Sequence, residues 1–194
     1  MTGTGVPPLP TLNFDIHPAV SSFAKSQQSY LTKYPDTRYN YVATGAIIFN
    51  IADPLVPRIL LIQRAASDSM PNRWEIPGGA CDDEDESILY AVARELWEEA
   101  GLKAKKISRL VGNPYIFSSR SGKRICKYNF LVEAETNSQG GFDVTLDPRE
   151  HQRFVWATKE DVETKRSADL DLDFTTKELQ DTIIEAFNEI EKET

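Results

Sequence analysis

Arg94-Glu95-Leu96-Trp97-Glu98-Glu99-Ala100-Gly101-Leu102 sets three glutamates about one helical turn apart or less and then closes the run with a glycine. On an α-helix, residues three and four apart are surface neighbours, so these carboxylates repel one another by a few tenths of a kcal/mol per pair. A divalent cation reverses that sign, and carboxylate oxygens are the ligands that Mg²⁺ prefers. Counting about 100° per residue from Leu89 puts Leu89, Val92, Ala93, Leu96 and Ala100 on one apolar stripe. The same count sets Arg94, Glu98, Glu95 and Glu99 at about 140°, 180°, 240° and 280°, a separate arc beside that stripe. The pattern predicts a helix with one buried face and one metal-capable face. Ser87 is placed to cap its start and Gly101 to end it in the left-handed conformation.

Upstream, Trp74-Glu75-Ile76-Pro77-Gly78-Gly79 reads as a short strand entering a Pro-Gly-Gly loop. From here to Leu102 the chain resembles the signature of the Nudix hydrolases, Gx5Ex7REUxEExGU with U a bulky aliphatic residue. Glu86, Arg94-Glu95-Leu96, Glu98-Glu99 and Gly101-Leu102 fall in register, while six residues instead of five separate Gly79 from Glu86. Counting back from Glu86 puts Ala80 at the glycine position, as one extra residue in the acidic loop Cys81-Asp82-Asp83-Glu84-Asp85 would. A solvated glutamate face would account for Glu98-Glu99 alone; it does not account for the whole run.

The resemblance implies a fold, an α/β/α sandwich with a mixed sheet between helices. It also implies an activity, metal-dependent hydrolysis of a diphosphate bond in a nucleoside diphosphate derivative, with water attacking phosphorus. By the same resemblance Glu95, Glu98 and Glu99 are metal ligands for Mg²⁺ or Mn²⁺, joined by the backbone carbonyl of Gly79. Glu86 is a supporting ligand or an acceptor behind the ligands, and Arg94 pairs with a motif glutamate to hold it in place. The general base is either Glu95 or an acid on a later loop, for which Glu150 is the candidate; Asp147, before Pro148, is explained by turn formation. Arg64 is a candidate phosphate contact and Tyr115 and Phe117 are candidates for stacking a base, with a surface ion pair and core packing as the competing readings. Trp74 has the same two readings, and Arg120, Lys123 and Arg124 read as a phosphate-steering patch or as solvated turn bases. His17 and His151 have no partner at zinc spacing and read as loop or core residues.

The rest of the chain suits one such domain. Of 194 residues, 40% are hydrophobic and 27% charged, enough for a real core, and a net charge of -8 argues against binding long nucleic acid. Two cysteines, Cys81 and Cys126, point to a reducing, cytoplasmic setting, with one disulfide as the alternative. No secretory leader or membrane-spanning run is expected; a homodimer is compatible with the sequence. Residues 1–13 read as a flexible tail and 14–194 as the domain. Within it, Pro18–Tyr34 reads as an extra helix, Tyr39–Asn50 and Arg58–Arg64 as strands, and Pro114–Phe117 and Ile125–Val132 as a hairpin about Ser121-Gly122. A loop over 136–149, a strand at Arg153–Trp156 and a C-terminal helix capped by Thr175 and Glu178 complete it. Two other readings compete: a Nudix-like binding module without turnover, and isomerisation of an allylic diphosphate, which needs a Cys and a Glu on carbon.

Overall fold

A computed structural model describes residues 8–35, 37–119 and 121–193; part of the expected tail and Arg120 lie outside them. In chain order the elements are β1 (Asp15–Ile16), a 3-10 turn (Pro18–Phe23), α1 (Gln27–Lys33), β2 (Tyr41–Ile47), β3 (Phe49–Asn50), β4 (Arg58–Arg64) and β5 (Trp74–Glu75). They continue with α2 (Ile88–Ala100), β6 (Ala104–Ser118), β7 (Arg124–Ala134), β8 (His151–Ala157), α3 (Lys159–Thr164), β9 (Arg166–Ser167), β10 (Leu170–Asp171) and α4 (Lys177–Glu193).

The strands form a mixed sheet in the order β1-β6-β7-β2, with β6 antiparallel to β7 and β2 parallel to it. A second, antiparallel group is built on β4, which takes β3 and β5 along one edge and β8 along the other. The loop after β5 joins the two. Ala46 and Thr44 of β2 donate their N–H groups to the carbonyls of Pro77 and Gly79, both at 2.8 Å, and Cys81 N–H donates to Val42 at 2.9 Å. The motif loop is thereby held at the sheet edge as if it were a strand.

Helices cover both faces. The apolar stripe of α2, Leu89, Val92, Leu96 and Ala100, packs into one core with Val42, Ala46, Ile107 and Phe130, while α4 puts Leu179, Ile183 and Phe187 into a second with Ile59, Leu61, Trp74 and Ile76. Truncating Leu96 to Ala in the first would cost about 2–5 kcal/mol. The α/β class and mixed sheet are as the sequence implies.

Local details differ. The helix expected over Pro18–Tyr34 divides at Ser26, whose hydroxyl accepts Ser29 N–H and starts α1 afresh. The strand over Tyr39–Asn50 breaks at Ile48, whose carbonyl accepts Leu60 N–H across the sheet. Thr176, not Thr175, caps α4 by accepting Leu179 N–H at 3.1 Å, because Thr175 N–H is turned to the carbonyl of Trp74. The short α3, with its Thr158–Asp161 capping box, and the β9-β10 hairpin were not expected. Cys81 and Cys126 are free, buried thiols, so no disulfide joins them. Leu12, inside the expected tail, packs against the first core.

Candidate active site

Ser87 accepts Tyr90 N–H at the start of α2, and Gly101, at φ 66°, ends the helix by donating to Trp97. Both caps therefore fall where the sequence puts them, and the carboxylate arc lies against the joint loop. Arg94, almost wholly buried, binds the centre of this arc. Its Nη1 donates to Glu95 at 2.9 Å and to Glu98 at 2.8 Å, and its Nε and Nη2 clasp Asp85 at 2.8 and 2.9 Å. The acid that Arg94 clasps behind the arc is thus Asp85, the neighbour of Glu86. The loop closes on itself, Asp82 N–H donating to Asp85, which turns Asp85 inward and leaves Glu86 exposed.

Gly79 meets Glu95 so closely that a Cβ built on it would stand 2.6 Å from a carboxylate oxygen. Its carbonyl accepts Thr44 N–H, which leaves one lone pair free, whereas the carbonyl of Ala80 accepts Arg94 Nη2 at 3.1 Å. Gly78, at φ 151°, lies where a Cβ would stand 2.2 Å from the Thr44 carbonyl, so only glycine fits there.

The three glutamates are unequal. Glu98 is half exposed, Glu95 partly buried and Glu99 fully buried. Burial pushes the Glu95 carboxyl up to about 7 although Arg94 opposes it, with Glu98 and Glu150 adding to the rise. Glu99 is raised well above the carboxylate range by burial, then by Glu75 and Glu95, and the Gly78 N–H, donating at 2.6 Å, offsets only part of this. Burial also raises Glu75, but a hydrogen bond from His151 at 3.2 Å, with Lys127 and Arg64 nearby, outweighs it and holds Glu75 below its ordinary value. Of the buried pair, Glu99 is the one short of positive charge. His151 Nε2 stands 3.9 Å from Glu99, and ligand atoms of Glu99, Glu150 and His151 lie within 4.8 Å of one another.

Beside this cluster opens a cavity of about 300 Å³, whose lining includes Arg64, Glu75, Gly79, Tyr115, Phe117 and Lys127. Arg64 is ion-paired to both Asp68 and Glu75. The sequence candidates Arg64, Tyr115, Phe117 and Gly79 are therefore brought to one space, and Glu95, Glu98, Glu99 and Glu150 to its neighbour. Trp74 is core, fully buried, while Lys123 lies over the Tyr41 ring at 4.1 Å and Arg124 is exposed. His151, Glu75, Asp85 and Lys127 belong to the site and were not foreseen in it; the 3-10 turn takes His17 as its cap.

A family model described as NUDIX domain matches residues 40–177. The chain belongs to the Nudix family. Among Nudix relatives it is 36% identical to the CTP pyrophosphohydrolase of Escherichia coli (strain K12) over 107 residues, 54% of this chain and 69% of that enzyme. It is 32% identical to the 8-oxo-dGDP phosphatase NUDT18 of Danio rerio over 115 residues, 59% of this chain but only 31% of that protein. The Nudix fold is shared with the MutT protein of Methanosarcina mazei Go1 (TM-score 0.55, 24% identity, 79% and 94% of the two chains). An Ap4A hydrolase of C. elegans matches likewise (TM-score 0.56, 23% identity, 78% and 98%).

Proposed function

We propose that this protein hydrolyses a diphosphate bond in a nucleoside diphosphate derivative, using Mg²⁺ or Mn²⁺ held by Glu95, Glu98, Glu99 and the Gly79 carbonyl. One observation carries the reading: a buried carboxylate cluster short of positive charge opens onto a cavity with aromatic and cationic walls. The donors are hard oxygens, Glu99 is raised by burial and by neighbouring acids, and Gly79, having no side chain, leaves room for the Glu95 carboxylate beside it, so the residues suit a hard divalent ion. Such an ion supplies neutralisation of the diphosphate and a more acidic water.

The chain's own side chains do the rest. Arg94 holds Glu95 and Glu98 at a fixed separation. Glu150 takes the proton of the attacking water: its side chain is exposed and beside Glu99, whereas Glu95 is engaged by Arg94. Tyr115 and Phe117 receive the base, and Arg64 faces a phosphate. Free thiols at both cysteines support a reducing, cytoplasmic setting.

A binding module without turnover is disfavoured because Glu95, Glu98 and Glu99 are all kept at the cluster. The isomerase reading is disfavoured too, since both thiols are buried in the first core, away from the cavity, and burial pushes each above its ordinary pKa. The test is a screen of nucleoside diphosphate derivatives with Mg²⁺ and Mn²⁺, reading product masses. Turnover is expected, falling at least about a hundredfold in Glu98→Gln at unchanged circular dichroism. Full turnover in that variant would remove Glu98 from the ligand set.

A further inference from the structure

Strand register gathers a row of side chains across the cavity floor. Tyr115 pairs with Lys127, Lys127 with Ala43, and Ala43 bridges to Ala80, so all four point to one face; Phe117 and Ile125 form the next pair toward the hairpin tip. Ala43 and Ala80 hollow the floor, and the lysine and the aromatic rings form its walls. Lys127 is only 8% exposed, yet no ion pair or hydrogen bond joins it to a described residue, although its field reaches Glu75 and Glu99. Arg64, the other cation lining this space among the described residues, is matched by two carboxylates.

The lysine stem is buried while its ammonium, without a contact partner among the described residues, opens on the cavity, where an anion would pair with it. Its place is defined from both sides, by electrostatic reach to the acid cluster and by direct pairing with Tyr115. That is where the phosphate of a nucleotide would lie when its diphosphate end is at the carboxylates and its base is at the rings. Thr175 and Thr176 at the start of α4 line the same space and add the positive end of a helix dipole.

We propose that Lys127, beside the aromatic wall, binds the phosphate attached to the nucleoside half of the substrate. The proposal rests on the hydrolytic reading above for the direction of the substrate.

The experiment is equilibrium titration of the full chain, freed of metal with chelator, with AMP, GMP, CMP and UMP and with their parent nucleosides. For at least one base, the monophosphate is expected to bind about tenfold to a hundredfold more tightly than its nucleoside. Lys127→Met should abolish that preference and leave nucleoside binding unchanged, and Lys127→Arg should keep most of it; Lys127→Gln replaces the methionine variant if that does not fold. Equal binding of monophosphate and nucleoside by the unaltered protein, or an unchanged preference in Lys127→Met, would overturn the proposal. So would a shift in metal affinity with nucleotide binding intact, which would make Lys127 a counter-charge for Glu75 and Glu99. Because these titrations involve no turnover, they stand or fall separately from the hydrolysis screen.

Discussion

Arg94 and Lys127 are both buried cations, and the protein surrounds them in opposite ways. Arg94 donates to Asp85, Glu95, Glu98 and the Ala80 carbonyl, whereas Lys127 touches no carboxylate among the described residues. A guanidinium with several fixed donors suits the first task, because it can hold separate acids at set angles; an ammonium on a flexible stem suits a site that exchanges its partner. The difference separates a scaffold, complete within the chain, from a site that a ligand completes.

The largest effect should come from breaking the scaffold. Removing one member of a buried ion cluster leaves its partners charged and unpaired, so Arg94→Met should lower unfolding free energy by about 3–5 kcal/mol in denaturant melts. Lys127→Met breaks no hydrogen bond or contact ion pair among the described residues, only a longer-range attraction to Glu75 and Glu99, and should cost clearly less, about 1–2 kcal/mol. Equal losses in the two variants would erase the distinction.

That distinction was only half legible in the sequence. The carboxylate arc, the Ser87 and Gly101 caps and the place of Arg94 beside Glu98 follow from helical periodicity, which is local and survives any tertiary context. Asp85 was hidden because one extra loop residue decides which of two adjacent acids turns inward. Glu75, Lys127 and His151 were hidden for another reason. They converge from three strands, and the cross-strand register that aligns Tyr115 with Lys127 and Ala43 is written in no short pattern. Helices cover both sides of the sheet, so a lysine in β7 can be buried.

A smaller effect tests how far Arg94 satisfies its own acids. Burial outweighs Arg94 and holds the Glu95 carboxyl at about 7, above its value of 4.5 in an unfolded chain. The folded state therefore binds the proton more tightly, so this group's contribution is fully present below pH 4.5 and is lost as pH rises toward 7. Metal-free protein should lose at most about 3 kcal/mol from this source across that interval. Mg²⁺ affinity should rise over the same range, since binding must displace the proton. Calorimetry in buffers of different ionisation enthalpy would count the proton released. No release between pH 5 and 7 would mean that Arg94 already keeps Glu95 ionised.

The finest test uses two adjacent glycines. At Gly79 a methyl group would meet the carboxylate of Glu95, the end of a side chain that can swing aside, whereas at Gly78 it would meet the backbone of Thr44, which cannot. Gly78→Ala should therefore disturb the joint loop and stability together. Gly79→Ala should leave stability within about 1 kcal/mol but move Glu95 by a fraction of its length, against the pull of Arg94. A misplacement of this size near the reacting atoms lowers turnover by about tenfold to a hundredfold. The monophosphate preference assigned to Lys127 should be untouched, because the lysine is not tied to the Arg94 cluster. If Gly79→Ala altered that preference as much as it altered turnover, the two cations would belong to one coupled unit, and the scaffold would extend to the cavity wall.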